Sequence, residues 1–122
     1  MPKINYFMSD IQELIAIIIK FRDARNWKQF HNPKDTALSL VLEATELMEH
    51  FQWKNEKEIA DYVKKHKKVI GEELSDVLYW VLLISHDLGI DIKKAFKKKM
   101  EISNKKYPIK KAKGSHKKYN EL

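Results

Sequence analysis

Glu43 and Glu46 in "LVLEATELMEHFQW" (40–53), and Glu73 and Asp76 in "GEELSDVLYW" (71–80), form two pairs of carboxylates with three-residue spacing. On a helix that spacing puts both groups of a pair on one face. Each pair sits against apolar residues: Leu42, Ala44 and Leu47 around the first, Val77 and Leu78 directly after the second. Carboxylates near apolar surface are costly unless a positive partner neutralises them or they take up a proton. A divalent cation shared between two helices meets that need. Four oxygen donors, with no Cys in the chain and no His at ligand spacing, suit a hard ion such as Mg²⁺ or Mn²⁺. The competing reading is four surface acids paired with some of the chain's many lysines. A di-iron bundle also gathers helix carboxylates, but it needs Glu-x-x-His on two helices. Here Glu46 is followed by Glu49 and Glu73 by Asp76, so that chemistry is set aside.

The elements that must present these acids are helical. The 122 residues include only three Gly and three Pro, while Leu, Ile, Lys and Glu are abundant. Ser9 with Gln12 is a capping box opening a first helix that runs to about Arg25 or Trp27. Ile11, Leu14, Ile15, Ile18, Ile19 and Phe21 or Arg22 follow its 3.6-residue period. Asn32 or Asp35 caps a second helix over roughly 35–52, with Pro33 in the first turn and Ala37, Val41, Ala44, Met48 and Phe51 as the main stripe. Asn55 with Glu58 opens a short helix to about Lys67. A third long helix follows at about 68–88, with Gly89 placed as a left-handed C-terminal residue. Asp91 caps a fourth helix to about Lys106, which Tyr107-Pro108 ends. The helical body thus covers about 9–106, and 107–122 is a basic tail without periodicity. Residues 77–84 are apolar nearly all round, so this stretch needs cover on every side. Four short helices from one chain barely supply it, and a homo-oligomer is expected.

Length places the chain as one domain with a core of its own. The absence of cysteine excludes disulfides and thiolate metal sites, and makes the cytosol the expected compartment. "MPKINYFM" lacks the apolar core of a signal peptide. The longest apolar runs, "LIAIII" (14–19) and "VLYWVLLI" (77–84), fall short of the roughly 20 residues of a membrane span. The net charge of +7 is uneven: from Lys93 onward there are twelve Lys and two Glu. Such a balance admits a nucleic-acid-binding helical module as an alternative function. Against it, the tail holds only Tyr107 and Tyr119 as aromatics, and acids cluster where a nucleic-acid binder wants none. A nucleic-acid partner is therefore not expected, and neither is a membrane.

"LEATELMEHFQW" followed by "EELSDVLYWVLL" resembles the Glu-x-x-Glu … Glu-x-x-Asp signature of the all-α nucleoside triphosphate pyrophosphohydrolases, the MazG-like superfamily. Within it, "FRDARNWKQFHNP", "FQWK", "EELSDVL" and "KKYPIKKAKGSHKKYNEL" look like the dCTP pyrophosphatase branch. The similarity runs from about residue 10 to the C-terminus. It implies an all-α, four-helix-bundle-like MazG-type fold assembled as a homodimer or homotetramer. It also implies Mg²⁺ held by Glu43, Glu46, Glu73 and Asp76, and cleavage of a nucleoside triphosphate into monophosphate and pyrophosphate.

By the same resemblance, the base is held by Trp27, Lys28, Gln29, Phe30, His31, Trp53 and Trp80, and the fourth-helix position falls on Ser103. The chain departs from its relatives at Trp80, where Tyr is typical, at Ile18, where some members use a His, and at Ser103, where an Asn is usual. These departures bear on which base is preferred. Glu46 and Glu49 are the candidates to accept a proton from the attacking water. Lys99 and Lys106, seven residues apart on one helix face, are candidates to contact the triphosphate.

Overall fold

The computed structural model describes residues 8–122; the reading of "MPKINYFM" concerns residues almost all outside that range. Every regular element among the described residues is helical. The chain divides into two compact units, 1–89 and 90–122.

Among the described residues, the first unit holds three α-helices. Helix α1 (Asp10–Ala24) opens on the expected capping box, in which Ser9 Oγ accepts from Gln12 N–H and Gln12 Oε1 accepts from Ser9 N–H. Of the two candidates for the end of its apolar period, Arg22 is the buried one and Phe21 is partly exposed. A single 3₁₀ turn (Lys28–Phe30) leads to α2 (Pro33–Glu49), capped by Asn32 with Pro33 in the first turn. The long α3 (Glu56–Asp87) opens on the Asn55–Glu58 capping box.

The two helices expected over 56–67 and 68–88 are both present, running on from one another across a kink at His66, close to where the break was placed. His66 departs from helical geometry (φ −124°, ψ 24°). Its ring Nδ1 bonds the Tyr62 carbonyl oxygen at 3.0 Å. That side chain takes an acceptor belonging to the helix ladder, a recognised cause of kinks.

Helix α3 is the spine of the unit, packing against both α2 and α1. The buried apolar residues among the described ones are Ile18, Leu82 and Leu83. The apolar cover expected around 77–84 is therefore only partial within this chain, with Leu78 still 43% exposed. The expected stripe on α2 is also displaced. Thr36 is buried, and Leu40, Glu43, Leu47 and His50 are half-buried along one face, whereas Val41 and Met48 are more than half exposed. The inward face of α2 thus mixes acids and polar groups with Leu, which a search for pure apolar periodicity passes over.

The second unit consists of α4 (Ile92–Lys106), a one-turn helix α5 (Ile109–Ala112) and a final 3₁₀ turn (Tyr119–Glu121). Asp91 caps α4 by accepting from Lys94 N–H. The tail, read as a basic segment without periodicity, folds back on its own unit. Tyr119 meets Tyr107 edge-on at 6.2 Å between centroids, and Lys106 Nζ lies 4.6 Å from the Tyr119 ring. No helix among the described residues is long and apolar enough to cross a membrane.

Two glycines give opposite expectations. Gly89 has φ +67°, with open space where a Cβ would lie. Gly89→Ala should cost about 1 kcal/mol through backbone strain alone. Gly71 is helical inside α3 and also faces open space. Gly71→Ala should stabilise by up to ~1 kcal/mol. Thermal melts of both variants check the pair, and shifts of the same sign would contradict these backbone assignments.

Candidate metal centre and active-site clefts

Helices α2 and α3 bring the four sequence-predicted acids together. One ligand atom from each of Glu43, Glu46, Glu73 and Asp76 lies within 4.8 Å of those of the others. Among the described residues none of them is paired with a lysine or arginine; Glu73 alone has a charged-type partner, His50 Nε2, at 3.3 Å. The lysine-pairing alternative is therefore not what the side chains do.

Burial decides whether a cation suits this cluster. Glu43 Oε2 and Glu73 Oε2 are buried with no hydrogen-bond partner, one orphaned oxygen from each helix. Buried acceptors without donors are costly and call for a compensating ligand. The Glu43 carboxyl is pushed above the usual carboxylate range by burial first, then by hydrogen bonding with Glu46 and the charges of Glu46, Asp76 and Glu73. Such mutual repulsion is what a divalent ion would relieve. An all-oxygen donor set fits a hard cation.

Two clefts meet the cluster, and the acids divide between them. Glu43 and Asp76 line a cleft of about 270 Å³ walled by Phe21, Trp27, Tyr79 and Trp80. Its aromatic rings are locked edge to face: Phe21 on Trp27 at 5.6 Å, Phe21 on Tyr79 at 6.3 Å and Tyr79 on Trp80 at 5.0 Å. Burial raises the Tyr79 phenol, against the opposing effect of the Arg22 and Arg25 cations, so it remains a protonated donor at neutral pH. Glu46 and Glu73 line the second cleft, about 370 Å³, with Glu49, His50, Lys54 and Tyr62. The chemistry available is thus a cation cradle with an apolar, stacking side and a polar side carrying a spare carboxylate.

The 27–31 segment is held by an ion pair in which Arg22 is buried and Asp87 reaches solvent. Arg22, only 1% exposed, donates through Nη1 to both carboxylate oxygens of Asp87 at 2.9 and 2.8 Å. The same nitrogen lies 3.5 Å from His31 Nδ1. Burial and the Arg22 cation lower the His31 pKa, with Asp87 opposing. His31 in turn meets Trp80 edge-on at 5.4 Å.

The other expected substrate residues are spread more widely. Lys28 and His31 line a separate cleft of about 400 Å³ with His86 and Asp87. Gln29 closes its own turn by donating to the Asn26 carbonyl at 2.8 Å. Phe30 is exposed, and Trp53 stands 92% exposed with φ 69° in the turn between α2 and α3. Ile18, one of the positions singled out by the family resemblance, is a core residue. Lys99, Ser103 and Lys106 lie on α4 in the second unit, where Ser103 is half-buried and Lys99 exposed.

Sequence reading passed over Phe21, Tyr79, His50, Lys54 and Tyr62. Helical spacing could have found two of them, because Tyr79 follows Asp76 by three residues and His50 follows Glu46 by four. Phe21, Lys54 and Tyr62 reach the clefts only through tertiary packing.

A family model described as the MazG-like family matches residues 38–122. The chain belongs to the MazG-like family. Its similarity to dCTP pyrophosphatase 1 of Homo sapiens is 37% identity over 117 residues, 94% of this chain and 67% of that protein. The Rattus norvegicus protein of the same name is 36% identical over the same shares. The crystal structure of a pyrophosphatase from Archaeoglobus fulgidus matches with a TM-score of 0.79 at 36% identity, covering 87% of this chain and 99% of that one. The MazG-like fold expected from the acidic signature is thus the fold found, and the whole acidic signature lies inside the family match.

The electrostatics of this MazG-like cluster yield a direct test. Asp76→Asn removes one of the charges that raise Glu43, so in EDTA the variant should melt at or above the wild-type temperature. Millimolar Mg²⁺ should raise the wild-type melting temperature, since a folded site binds the ion and an unfolded chain has none assembled. The variant should show little of that gain. A variant destabilised in EDTA, or a wild type indifferent to Mg²⁺, would refute the cation cradle.

Proposed function

We propose that this enzyme hydrolyses a nucleoside triphosphate, dCTP or a related pyrimidine deoxynucleotide, to the monophosphate and pyrophosphate, clearing it from the nucleotide pool. The observation that carries the reading is the division of four carboxylates between an aromatic cleft and a polar one. That arrangement suits a ligand with a flat apolar end and a polyanionic end. The names of the dCTP pyrophosphatases it resembles support the same substrate class.

In this reading Glu43, Glu46, Glu73 and Asp76 hold Mg²⁺, with Mn²⁺ as a substitute. A cation held by these four carboxylates would supply the positive charge that offsets the phosphates during in-line attack of water on the α-phosphorus. Glu49 lines the polar cleft beside Glu46. One of these two carboxylates accepts the proton from the attacking water, and Glu49 is the one outside the ligand set. Trp80 and Trp27 provide faces for the base, while Tyr79 O–H and the Trp80 indole N–H offer donors at its edge.

Lys28, Gln29, Phe30 and His31 belong to the nucleoside side in the same reading. Lys99 and Lys106, seven residues apart on α4, are proposed for the phosphates, and Ser103 for the fourth-helix position that bears on base preference. A homodimer or homotetramer is part of the proposal. Leu38, Val41, Leu42 and Met48 on α2 are each more than half exposed, an apolar surface suited to a second copy. Trp53, strained and bare within its own chain, suits a role across such an interface.

The test is incubation of the full chain with each common triphosphate and Mg²⁺, with pyrophosphate and orthophosphate measured separately. Pyrophosphate release with dCTP preferred is expected; orthophosphate alone, or no turnover, would overturn the assignment. Stacking of a base on an aromatic side chain is worth about 1–3 kcal/mol. Trp80→Ala should therefore raise KM by roughly tenfold or more while leaving Mg²⁺-induced stabilisation intact. Trp80→Tyr should keep activity. Unchanged kcat/KM for dCTP, dTTP and dATP in Trp80→Ala would place the base elsewhere.

A further inference from the structure

Beside the four acids stands a short hydrogen-bonded chain for which the proposed hydrolysis has no role yet. His50 follows the last residue of α2 and caps its C-terminal end. Its Nε2 lies 3.3 Å from Glu73 Oε1, and its Nδ1 meets the hydroxyl of Tyr62 on α3. One arrangement of protons satisfies both contacts in the neutral ring. Tyr62 O–H donates to Nδ1, and Nε2–H donates to the Glu73 carboxylate.

Tyr62 is itself held. Its ring stacks on His66 with centroids 4.1 Å apart, at the bend of α3, and Lys54 Nζ lies 4.5 Å from its ring centroid. The bend, the phenol, the imidazole and the carboxylate therefore form one continuous support.

The support acts on a single ligand. Glu73 Oε1 carries the contact with His50, while Oε2 is buried and without a partner. With one oxygen tied to a fixed donor, rotation of the carboxylate is restrained and the free oxygen stays directed away from His50. Among the described residues no other member of the cluster has a histidine partner. His50 sits one helical turn after Glu46, so the turn that carries one acid also carries the brace for another.

We propose that His50, oriented by Tyr62, is a positioning residue that holds Glu73 in the geometry required to bind the cation. This inference rests on the metal reading given above. Groups that hydrogen-bond to ligating side chains fix their orientation, and removing them typically costs about 10–100-fold in metal affinity.

The experiment is isothermal titration of Mn²⁺ into the full chain, without nucleotide, for wild type, His50→Leu, His50→Gln and Tyr62→Phe, with melting in EDTA alongside. His50→Leu should weaken Mn²⁺ binding about tenfold or more. His50→Gln, which keeps an N–H donor near the Nε2 position, should recover most of that loss. Tyr62→Phe keeps the ring packing and should weaken binding by a smaller factor, with an EDTA melting temperature close to wild type. If His50→Leu fails to fold, Tyr62→Phe decides. Wild-type affinity in both His50→Leu and Tyr62→Phe would overturn the role of His50 while leaving the metal site standing. Equal losses in His50→Leu and His50→Gln would also overturn it, since the donor would then not matter. A wild type that binds no Mn²⁺ would bring down the metal reading itself, and the role of His50 with it.

Discussion

Like-charge repulsion between α2 and α3 is the constraint around which the first unit is built. Two helices that pack together would ordinarily put their most apolar faces inward. Here the shared face carries Glu43 with its buried, unpartnered oxygen opposite Glu73 with another. Burial first, and then the nearness of Glu46, Asp76 and Glu73, raises the Glu43 pKa above its ordinary value. The apolar residues of α2 are pushed round to the outer surface, where Val41 and Leu42 are 60% and 64% exposed. A fold that accepts this cost at its main helix contact is organised for a ligand that cancels it.

The second organising interaction is the Arg22–Asp87 pair. It fastens the end of α1 to the end of α3, and the 27–31 turn lies directly over it through the 3.5 Å approach of Arg22 to His31. Arg22 is almost fully buried, so losing Asp87 would leave its charge uncompensated, and the pair holds geometry even where its net stabilisation is small. From that anchor the aromatic wall follows in sequence. Trp27 leans on Phe21, Phe21 on Tyr79, Tyr79 on Trp80, and His31 closes on Trp80. The cleft beside Glu43 and Asp76 is thereby preorganised before any ligand arrives, which lowers the ordering cost of binding.

Much of this was legible in the chain, for identifiable reasons. Caps are local chemistry, and Ser9, Asn32, Asn55, Asp91 and Gly89 each act at the position their type and neighbours imply. The four acids were legible because three-residue spacing on a helix fixes direction without tertiary information. What stayed hidden depends on packing. The inner face of α2 was misplaced by one residue round the helix because apolar periodicity marks Val41 and Met48, while the real contact runs through Thr36, Glu43 and His50. The kink inside α3 coincides with the His66 ring's bond to the Tyr62 carbonyl, a side-chain contact that propensity does not register. Burial of Arg22 is similarly invisible, since nothing local announces that Asp87, 65 residues later, is its partner.

The small apolar core has a thermodynamic consequence that ties these features together. Only Ile18, Leu82 and Leu83 are buried apolar side chains among the described residues, while large hydrophobics on α1, α2 and α3 remain exposed. Apolar burial contributes roughly 25 cal/mol per Å², so a unit that leaves so much of it uncovered has little reserve from its own core. Anything that binds only the folded state adds to stability in proportion to the logarithm of its concentration over its dissociation constant. A cation between α2 and α3 and a second copy over the outer face of α2 would both act in this way, on opposite sides of the same helix. The acid face inward and the apolar face outward are therefore one design choice. With Glu43 turned inward and Leu38, Val41, Leu42 and Met48 turned outward, α2 would offer a cation and a second copy separate faces.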